Sequence, residues 1–217
     1  MRSSEDRPMP AFILAGGRSQ RLGEDKARAS LCPGLTLIEA VHASFEGIPF
    51  RWTVVADEAE KFTPLGLDTI VDDTYQGPLG GVLRAARDVK SRTLNEGYFF
   101  VTSCDRVGIQ SQWVARLQEE LVHAPPAVAF RSRGRWEPLF AFYHTRLMTE
   151  FTRRLRSSDR SLWKALDAVG AKAVAAPSGW EDCFSVNTPE DLARARHRAS
   201  IGDLRDDRDR ADDPEKV

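Results

Sequence analysis

Two adjacent glycines and two cations follow a short apolar run near the start of the chain, and together they have the chemistry to bind phosphate. Gly16 and Gly17 come directly after residues 11–14, a run of Ala, Phe, Ile and Leu that predicts a buried strand. Because glycine has no side chain, the backbone can approach a ligand closely and point its N–H groups at phosphate oxygens. Arg21 supplies a planar fork of donors, and Lys26 supplies a mobile point charge. We therefore expect this segment to bind a nucleoside triphosphate.

The spacing of this segment differs from the two common phosphate-binding motifs. A Walker loop needs lysine directly after its last glycine, whereas Glu24 and Asp25 separate Gly23 from Lys26. The dinucleotide fingerprint needs a Gly-x-Gly-x-x-Gly spacing, which the segment lacks. From the residues alone, an ordinary strand-to-helix turn with solvated charges is the alternative.

A second glycine-rich segment, residues 71–81, contains Asp73 and Gly80 and precedes a predicted helix. Its glycines permit close approach of the backbone, and the start of a helix favours an anion or a polar ligand edge. These residues are therefore candidates for lining a nucleotide. A plain Gly-Pro turn capped by an aspartate is the alternative.

An aspartate follows one of the predicted strands. Asp105 comes shortly after residues 98–102, an apolar run that predicts a buried strand. Mg²⁺ usually keeps several waters and takes one or two protein carboxylates together with substrate phosphates. A carboxylate at the carboxyl end of such a strand is well placed to bind this metal, and a helix cap is the alternative role for Asp105.

Asn187 precedes a strong predicted helix start. Thr188 can cap the helix, Pro189 suits its first position, and the next two carboxylates complement its dipole. The amide of Asn187 can orient a phosphate or a metal-bound water, or it can serve only to shape the turn.

These segments together resemble the signature of the sugar-nucleotide type of nucleotidyltransferase, and within that group they are most similar to the molybdenum cofactor guanylyltransferases. The matching stretches occur in the family's order, at residues 14–26, 71–81, 99–105, 134–141 and 184–192. The resemblance implies an enzyme that transfers GMP from GTP onto the molybdopterin form of the molybdenum cofactor and releases pyrophosphate. It implies Mg²⁺ as cofactor, GTP and molybdopterin as ligands, and molybdoenzyme maturation proteins as partners.

The resemblance also assigns roles to residues of this chain. The catalytic residues that it implies are Arg21, Lys26 and Asp105, with Asp105 as the metal ligand. The nucleotide-binding residues that it implies are Leu14, Ala15, Gly16, Gly17, Lys26, Asp73, Gly80 and Asp105, and Asn187 is a further candidate.

The chain departs from the family's pattern at a few positions, which leaves other interpretations open. Arg106 and Val107 stand where the family has x-Pro, and Ser185 replaces the first asparagine of its Asn-x-Asn-Thr-Pro stretch. One alternative is a related cytidylyltransferase or sugar-phosphate nucleotidyltransferase, and another is a non-catalytic, nucleotide-binding regulatory module. Leu-Ala-Gly-Gly at residues 14–17 favours guanine, because the cytidine branch typically shows Leu-Ala-Ala-Gly.

Short apolar runs alternate with helical patterns along the chain, which predicts an α/β protein with a mostly parallel sheet and helices on both of its faces. Residues 132–135, Ser-Arg-Gly-Arg, predict a hairpin turn and hence one antiparallel strand. With the resemblance, this indicates a three-layer α/β/α Rossmann-like nucleotidyltransferase fold. We expect a flexible N-terminus at residues 1–10, a single domain at 11–201 and a disordered charged tail at 202–217.

The composition limits the classes of partner. The chain has 217 residues and a formal net charge of −1, so we expect no broad basic surface for nucleic acid. No apolar stretch approaches the length that crosses a bilayer, so we expect no membrane partner. Three widely spaced cysteines fit neither a disulfide framework nor a zinc site, so we expect a reduced, cytoplasmic protein.

Overall fold

A computed structural model describes residues 8–16, 25–72, 76–93 and 95–200. The predicted tail at 202–217 lies outside these residues, as do residues 1–7 of the predicted flexible N-terminus. The first strand begins at Met9, so residues 9 and 10 belong to the sheet rather than to that N-terminus. In the described part of the chain, no helix is long and apolar enough to cross a membrane.

Strands and helices alternate through the described chain, as the apolar runs predicted. The strands are β1 (Met9–Leu14), β2 (Ser30–Cys32), β3 (Leu35–Thr36), β4 (Phe50–Ala56), β5 (Asp68–Val71), β6 (Tyr98–Ser103), β7 (Arg106–Val107), β8 (Ala127–Ser132), β9 (Arg135–His144), β10 (Lys172–Ala175) and β11 (Phe184–Ser185). The α-helices are α1 (Leu37–Ala43), α2 (Gly77–Thr93), α3 (Gln112–Gln118), α4 (Met148–Leu155), α5 (Leu162–Ala168) and α6 (Pro189–Ser200).

The chain divides into two compact units, each made from three stretches of sequence. The first unit comprises Met1–Gly17, Pro49–Ser103 and Ala115–Ala176, and the second comprises Arg18–Ile48, Cys104–Val114 and Pro177–Val217.

Within the described residues, the first unit is built on a seven-stranded sheet with the order β10-β8-β9-β6-β1-β4-β5. Only β9 runs antiparallel to its neighbours in this sheet, and the remaining pairs are parallel. The predicted single antiparallel strand in a mostly parallel sheet is therefore confirmed. Leu14 is in register with Ser103, so the carboxyl ends of β1 and β6 meet. Ligands of such sheets bind beyond the carboxyl ends, where the strand order reverses.

The central strands of this sheet are buried on both faces, which explains why their sequences are continuous apolar runs. On one face, Phe12 and Leu14 belong to the apolar cluster that α2, α4 and α5 complete. The ring of Phe12 meets that of Phe99 edge-on, with centroids 5.7 Å apart. On the opposite face, the rings of Phe100 and Phe142 lie 5.0 Å apart, and both side chains are fully buried.

The hairpin between β8 and β9 turns through two residues. Arg133 and Gly134 have φ values of 49° and 78°, and positive φ at both central positions is the type I′ geometry that matches the twist of the flanking strands. Ser132 and Arg135 pair on either side of the turn. The predicted hairpin at residues 132–135 is therefore confirmed.

A bulge interrupts β9 shortly after this turn. Phe130 of β8 stands opposite residues 137–140 of β9, so several residues of one strand face a single residue of the other. Pro138 lies in the bulge, where its missing N–H group is tolerated. The buried hydroxyl of Tyr143 donates a hydrogen bond to the carbonyl oxygen of Pro138 at 2.7 Å. Burial raises the pKa of this hydroxyl, so the group stays protonated and able to donate.

The second unit has a core of its own. One cluster of its buried apolar residues comprises Ala29, Leu31, Leu37, Val107, Val186, Leu192 and Ala195. Helix α1 begins with a capping box, in which the Glu39 carboxylate accepts hydrogen bonds from the backbone N–H and the hydroxyl of Thr36 at 2.8 and 2.6 Å. The two-residue strands β7 and β11 pair antiparallel. These contacts tie together segments that are far apart in sequence.

Candidate active site

Three of the predicted site residues meet in the second unit. The ammonium group of Lys26 donates hydrogen bonds to Oδ2 of Asp105 and to Oδ1 of Asn187, both at 2.8 Å. The side chains of Lys26 and Asp105 are only 18% and 16% exposed. Water therefore screens this ion pair less than it screens an open surface pair. The structure thus brings the cation of the first motif to the carboxylate of the third and to the amide before the last helix.

Lys26 is positioned by the residue before it. Asp25 precedes a short 3-10 helix, Lys26–Arg28, and its carboxylate accepts a hydrogen bond from the N–H of Ala27 at 3.1 Å. This cap fixes where the helix starts and hence where Lys26 leaves the backbone. The sequence interpretation gave Asp25 no role. An aspartate at the start of a helical turn is the signal that predicts such a cap.

Asp105 is positioned through its backbone. It follows β6 by two residues, and its carbonyl oxygen accepts a hydrogen bond from the N–H of Val186 at 2.8 Å. The neighbouring Cys104 is buried, and burial together with the adjacent Asp105 charge raises the pKa of its thiol. Cys104 is therefore a neutral packing residue beside the carboxylate rather than a nucleophile.

Asn187 is positioned by the start of helix α6. The carboxylate of Asp191 accepts hydrogen bonds from the N–H groups of Asn187 and Thr188 at 3.0 and 3.1 Å. In return, the hydroxyl of Thr188 accepts a hydrogen bond from the N–H of Asp191 at 3.2 Å. These bonds form a reciprocal cap of the kind that the sequence predicted at this helix start. The side-chain amide of Asn187 also donates to the carbonyl of Ser185 at 3.3 Å, which aims its oxygen at Lys26.

The chemistry of this cluster is that of a site for a hard cation. A carboxylate oxygen and an amide oxygen converge on one ammonium group, and both oxygens are of the type that Mg²⁺ takes as ligands. Within the described residues, no three side chains of His, Cys, Asp or Glu come together as a metal site. A magnesium ion that is held mainly by substrate phosphates needs only one or two protein oxygens. Asp105 and Asn187 therefore fit such an ion.

The remaining described candidates lie in the first unit. Leu14 and Ala15 are buried, and the N–H of Ala15 donates to the carbonyl of Val55 at 2.8 Å, so it extends the sheet. Gly16 is the first exposed residue after β1. A Cβ on Gly16 would lie 3.9 Å from the nearest backbone atoms of Val55 and Ala56, an ordinary contact. Among the residues that the structure describes, neither packing nor a positive φ therefore requires glycine at this position.

Gly80 belongs to the first turn of helix α2, which begins at Gly77. The sequence interpretation placed residues 71–81 ahead of the helix, and this boundary was wrong by a full turn. The first four N–H groups of a helix have no partner within it, and Gly80, as the fourth helical residue, comes directly after them. A Cβ on the next residue, Gly81, would lie 3.2 Å from both δ carbons of Leu14, so α2 packs closely on the end of β1.

Three predicted site residues lie outside the described residues. These are Gly17, Arg21 and Asp73. Their assigned roles stay predictions.

The comparisons with known proteins cover most of this chain. Residues 11–205 match the family model described as the MobA-like NTP transferase domain. This chain belongs to that family. A relative in Pseudomonas aeruginosa named molybdenum cofactor guanylyltransferase is 30% identical over 193 residues, which cover 87% of this chain and 95% of the relative. A relative in a Nostoc species named probable molybdenum cofactor guanylyltransferase is 29% identical over 191 residues, which cover 85% of this chain and 89% of the relative.

Solved structures share the fold of this chain. A crystal structure described as molybdopterin-guanine dinucleotide biosynthesis protein A from Archaeoglobus fulgidus has a TM-score of 0.72 and 23% identity. The match covers 89% of this chain and all of that one. The predicted fold class, a Rossmann-like α/β nucleotidyltransferase fold, is therefore confirmed. A synthetase of CMP-2-keto-3-deoxy-manno-octonic acid in complex with CTP shares the fold at a TM-score of 0.65 and 13% identity.

Proposed function

We propose that this protein transfers GMP from GTP to the molybdopterin form of the molybdenum cofactor, giving molybdopterin guanine dinucleotide and pyrophosphate. The names of its family relatives support this function. The observation in the chain itself that carries the proposal is the Lys26 cluster, in which residues of two further motifs of the resemblance lie 2.8 Å from the ammonium group of the first. Residues that only shaped local turns would not need to meet in this way.

The reaction asks the protein mainly for positioning and charge neutralisation. A phosphate oxygen of the acceptor attacks the α-phosphorus of GTP, the bond from that phosphorus to the bridging oxygen breaks, and pyrophosphate leaves with the bond's electron pair. Because the acceptor phosphate is already an anion, no strong general base is required. Lys26 and Arg21 are suited to neutralising charge on the α-phosphoryl group and on the departing pyrophosphate.

The nucleotide is held, in this proposal, largely by backbone. The exposed glycine after β1 and its neighbour, Gly16 and Gly17, hold the triphosphate through N–H groups. Asp73 and Gly80 line the nucleotide. Leu14 and Ala15 support this loop from the sheet, since their buried side chains fix where β1 ends.

Mg²⁺ is the metal that the donor atoms fit best, with Asp105 as its ligand and Asn187 as a further oxygen donor. When bound, the ion would neutralise phosphate charge during the transfer. The protein's own part is to position this carboxylate through the backbone hydrogen bond from Val186 to Asp105. We place this reaction in the cytoplasm, with molybdoenzyme maturation proteins as the partners that receive the product.

The function is tested by nucleotide-dependent thermal stability and by turnover. A ligand that binds only the native state raises its melting temperature, so GTP should raise it more than CTP, UTP or ATP at equal concentration, with and without Mg²⁺.

Pyrophosphate release from GTP and molybdopterin should fall by about 10²-fold or more in Lys26→Ala, as is typical when a preorganised charge contact is lost. A matched control is Lys61→Ala, because Lys61 also forms a short ion pair, with Asp57 at 2.7 Å.

The outcomes separate the alternatives. A larger rise in melting temperature with CTP than with GTP would indicate a cytidylyltransferase. Clear GTP binding without pyrophosphate release would favour a regulatory module. Equal loss of turnover in Lys26→Ala and Lys61→Ala would remove Lys26 from the catalytic machinery.

A further inference from the structure

The ammonium group of Lys26 fills the position of a cation between two protein oxygens. Its ammonium nitrogen is 2.8 Å from Asp105 Oδ2 and 2.8 Å from Asn187 Oδ1. The two residues lie 79 and 161 positions away along the chain, so the contact is built by the fold and not by local sequence. Both side chains of the ion pair are mostly shielded from water.

A divalent metal and this ammonium group compete for the same oxygens. Both are hard cations that prefer anionic or carbonyl-type oxygen, and two such cations on one carboxylate and one amide repel each other. A metal that binds before nucleotide must therefore displace Lys26 from Asp105. The oxygen of Asn187 is held by the start of α6 and cannot turn freely toward a second cation.

A nucleoside triphosphate removes this competition, because its phosphates give the ammonium group an alternative anionic partner. We propose that Lys26 is a placeholder for the divalent metal. It occupies Asp105 and Asn187 until nucleotide draws it away, so that metal binds well only after or together with nucleotide. Such coupling is reciprocal, since each ligand strengthens binding of the other by the same factor. This inference rests on the proposed function, in which Asp105 is a metal ligand.

The test measures metal binding without nucleotide and without turnover. Mn²⁺ is a suitable probe because it shares the oxygen preference of Mg²⁺, and the free ion is counted by electron paramagnetic resonance. Lys26→Met removes the competing charge and keeps much of the apolar length of the side chain. Nucleotide-free Lys26→Met should bind Mn²⁺ roughly tenfold more tightly than wild type or better, which lies within the usual range of coupling between linked sites.

Lys61→Met is the matched control, because it removes a lysine from another shielded ion pair, that of Lys61 and Asp57. It should leave Mn²⁺ affinity at the wild-type value. Lys26→Gln keeps a polar end and guards against a folding defect in Lys26→Met, and thermal unfolding of both variants checks the fold. The tightening should vanish when Asp105→Asn is added to Lys26→Met.

Unchanged or weaker Mn²⁺ binding in folded Lys26→Met or Lys26→Gln would overturn the placeholder role. The same result in Lys61→Met as in Lys26→Met would overturn it as well, because the effect would then be one of net charge. GTP binding to the wild type in the presence of a chelator is measured in parallel. Failure to bind GTP would remove the proposed function, whereas the Mn²⁺ comparison would still decide whether Lys26 blocks the cation position.

Discussion

The carboxylate of Asp105 accepts a hydrogen bond from the ammonium group of Lys26 and is the metal ligand in the proposed reaction. Asp105→Asn keeps the size and the hydrogen-bonding capacity of the side chain but removes its charge. We expect it to lose Mg²⁺-dependent pyrophosphate release by about 10²-fold or more while it retains weaker, metal-insensitive GTP binding. A Mg²⁺ titration of pyrophosphate release in both forms measures this.

The control for this substitution is Asp57→Asn, because Asp57 forms an ion pair of similar length with Lys61. Its activity should match that of the wild type. Similar Mg²⁺ dependence in Asp105→Asn and the wild type would contradict the role of Asp105 as a metal ligand.

Substitution of Gly16 tests whether this glycine is needed for ligand binding rather than for folding. A methyl group at this position fits the protein, because its nearest backbone neighbours would be 3.9 Å away. We expect Gly16→Ala to keep the wild-type melting temperature and to bind GTP at least about tenfold more weakly, since the methyl group would occupy space beside the backbone that the phosphates need.

Gly97→Ala is the matched control for that measurement. Gly97 also lacks a positive φ, and a Cβ there would have no neighbour within 4 Å in the described part of the chain. Calorimetric titration with GTP should give wild-type affinity for this variant. Equal affinity in Gly16→Ala and the wild type would show that the nucleotide stays away from this loop.

The sequence identified the residues of the candidate site better than it identified their contacts. Lys26, Asp105 and Asn187 each stood out by residue type and position, as a cation after glycines, a carboxylate after a strand and an amide before a helix. That they bond to one another could not be predicted, because the contact depends on how three distant segments pack. Asp25 was missed because its role is to cap a helix of only three residues, too short for a periodic pattern.

Helix α6 begins with a charged cap whose strength depends on pH. Hydrogen bonds from the N–H groups of Asn187 and Thr188 stabilise the ionised carboxylate, so the pKa of Asp191 lies below its usual value near 3.8. A depressed folded-state pKa adds stability above the unfolded value, and this stability is lost as the pH falls through the lower, folded value. The Tm difference between wild type and Asp191→Ala should therefore shrink as the pH falls from about 7 to about 3.

NMR titration of the Asp191 carboxyl measures its pKa in the folded protein directly. A pH-independent Tm difference for Asp191→Ala would mean that the cap acts without its charge.

The bulge in β9 is held by one buried hydroxyl. Tyr143→Phe removes the donor and leaves the carbonyl of Pro138 without its partner, so we expect a loss of about 1–3 kcal/mol in the free energy of unfolding. Urea denaturation measures this loss.

Tyr98 offers a close comparison, because its hydroxyl also donates to a proline carbonyl, that of Pro125, but at a half-buried position. Tyr98→Phe should cost less, since water can replace the lost donor there. An equal cost for the two variants would argue that the bulge does not depend on the bond from Tyr143.

Elements with strong patterns were predicted well, and short or irregular ones were not. The central strands were identified because each is a short continuous apolar run, and helix α2 because its apolar residues repeat with the helical period. Strands β7 and β11 have two residues each, which is too short for any pattern. The bulge in β9 was missed because Pro138 interrupts the strand without showing how many residues it displaces.

The charged tail should contribute nothing to the stability of the whole molecule. Residues 202–217 are rich in Asp and Arg and contain few apolar residues, so they lack the surface that packing would need. Truncation after Ile201 should leave the melting temperature and GTP binding at their wild-type values. A clear fall in either quantity would show that the tail docks on the rest of the protein.

At the scale of the whole chain, the sequence predicted one domain at residues 11–201, and this stays a prediction. The described residues group into two compact units, and each unit draws on separate stretches of sequence. Composition and local patterns show no sign of this division, because no linker marks it. Interleaved units have no boundary that a sequence pattern could reveal.

Because each unit is made of separate stretches of sequence, the two units can become complete only in a fixed order during synthesis on the ribosome. Lys26 and Asn187 are 161 residues apart, so at a synthesis rate of roughly 5–20 residues per second Lys26 waits on the order of 10–30 s for its second partner. The sheet unit ends at Ala176 and can close before then. Leu31 and Leu37 wait as well, because the partners Val186 and Leu192 of their core emerge late. A chain whose synthesis stops between Ala176 and Asn187 would have the complete sheet, but Leu31 and Leu37 would stay exposed and Lys26 would lack Asn187. Chaperones and proteases act on chains of this kind.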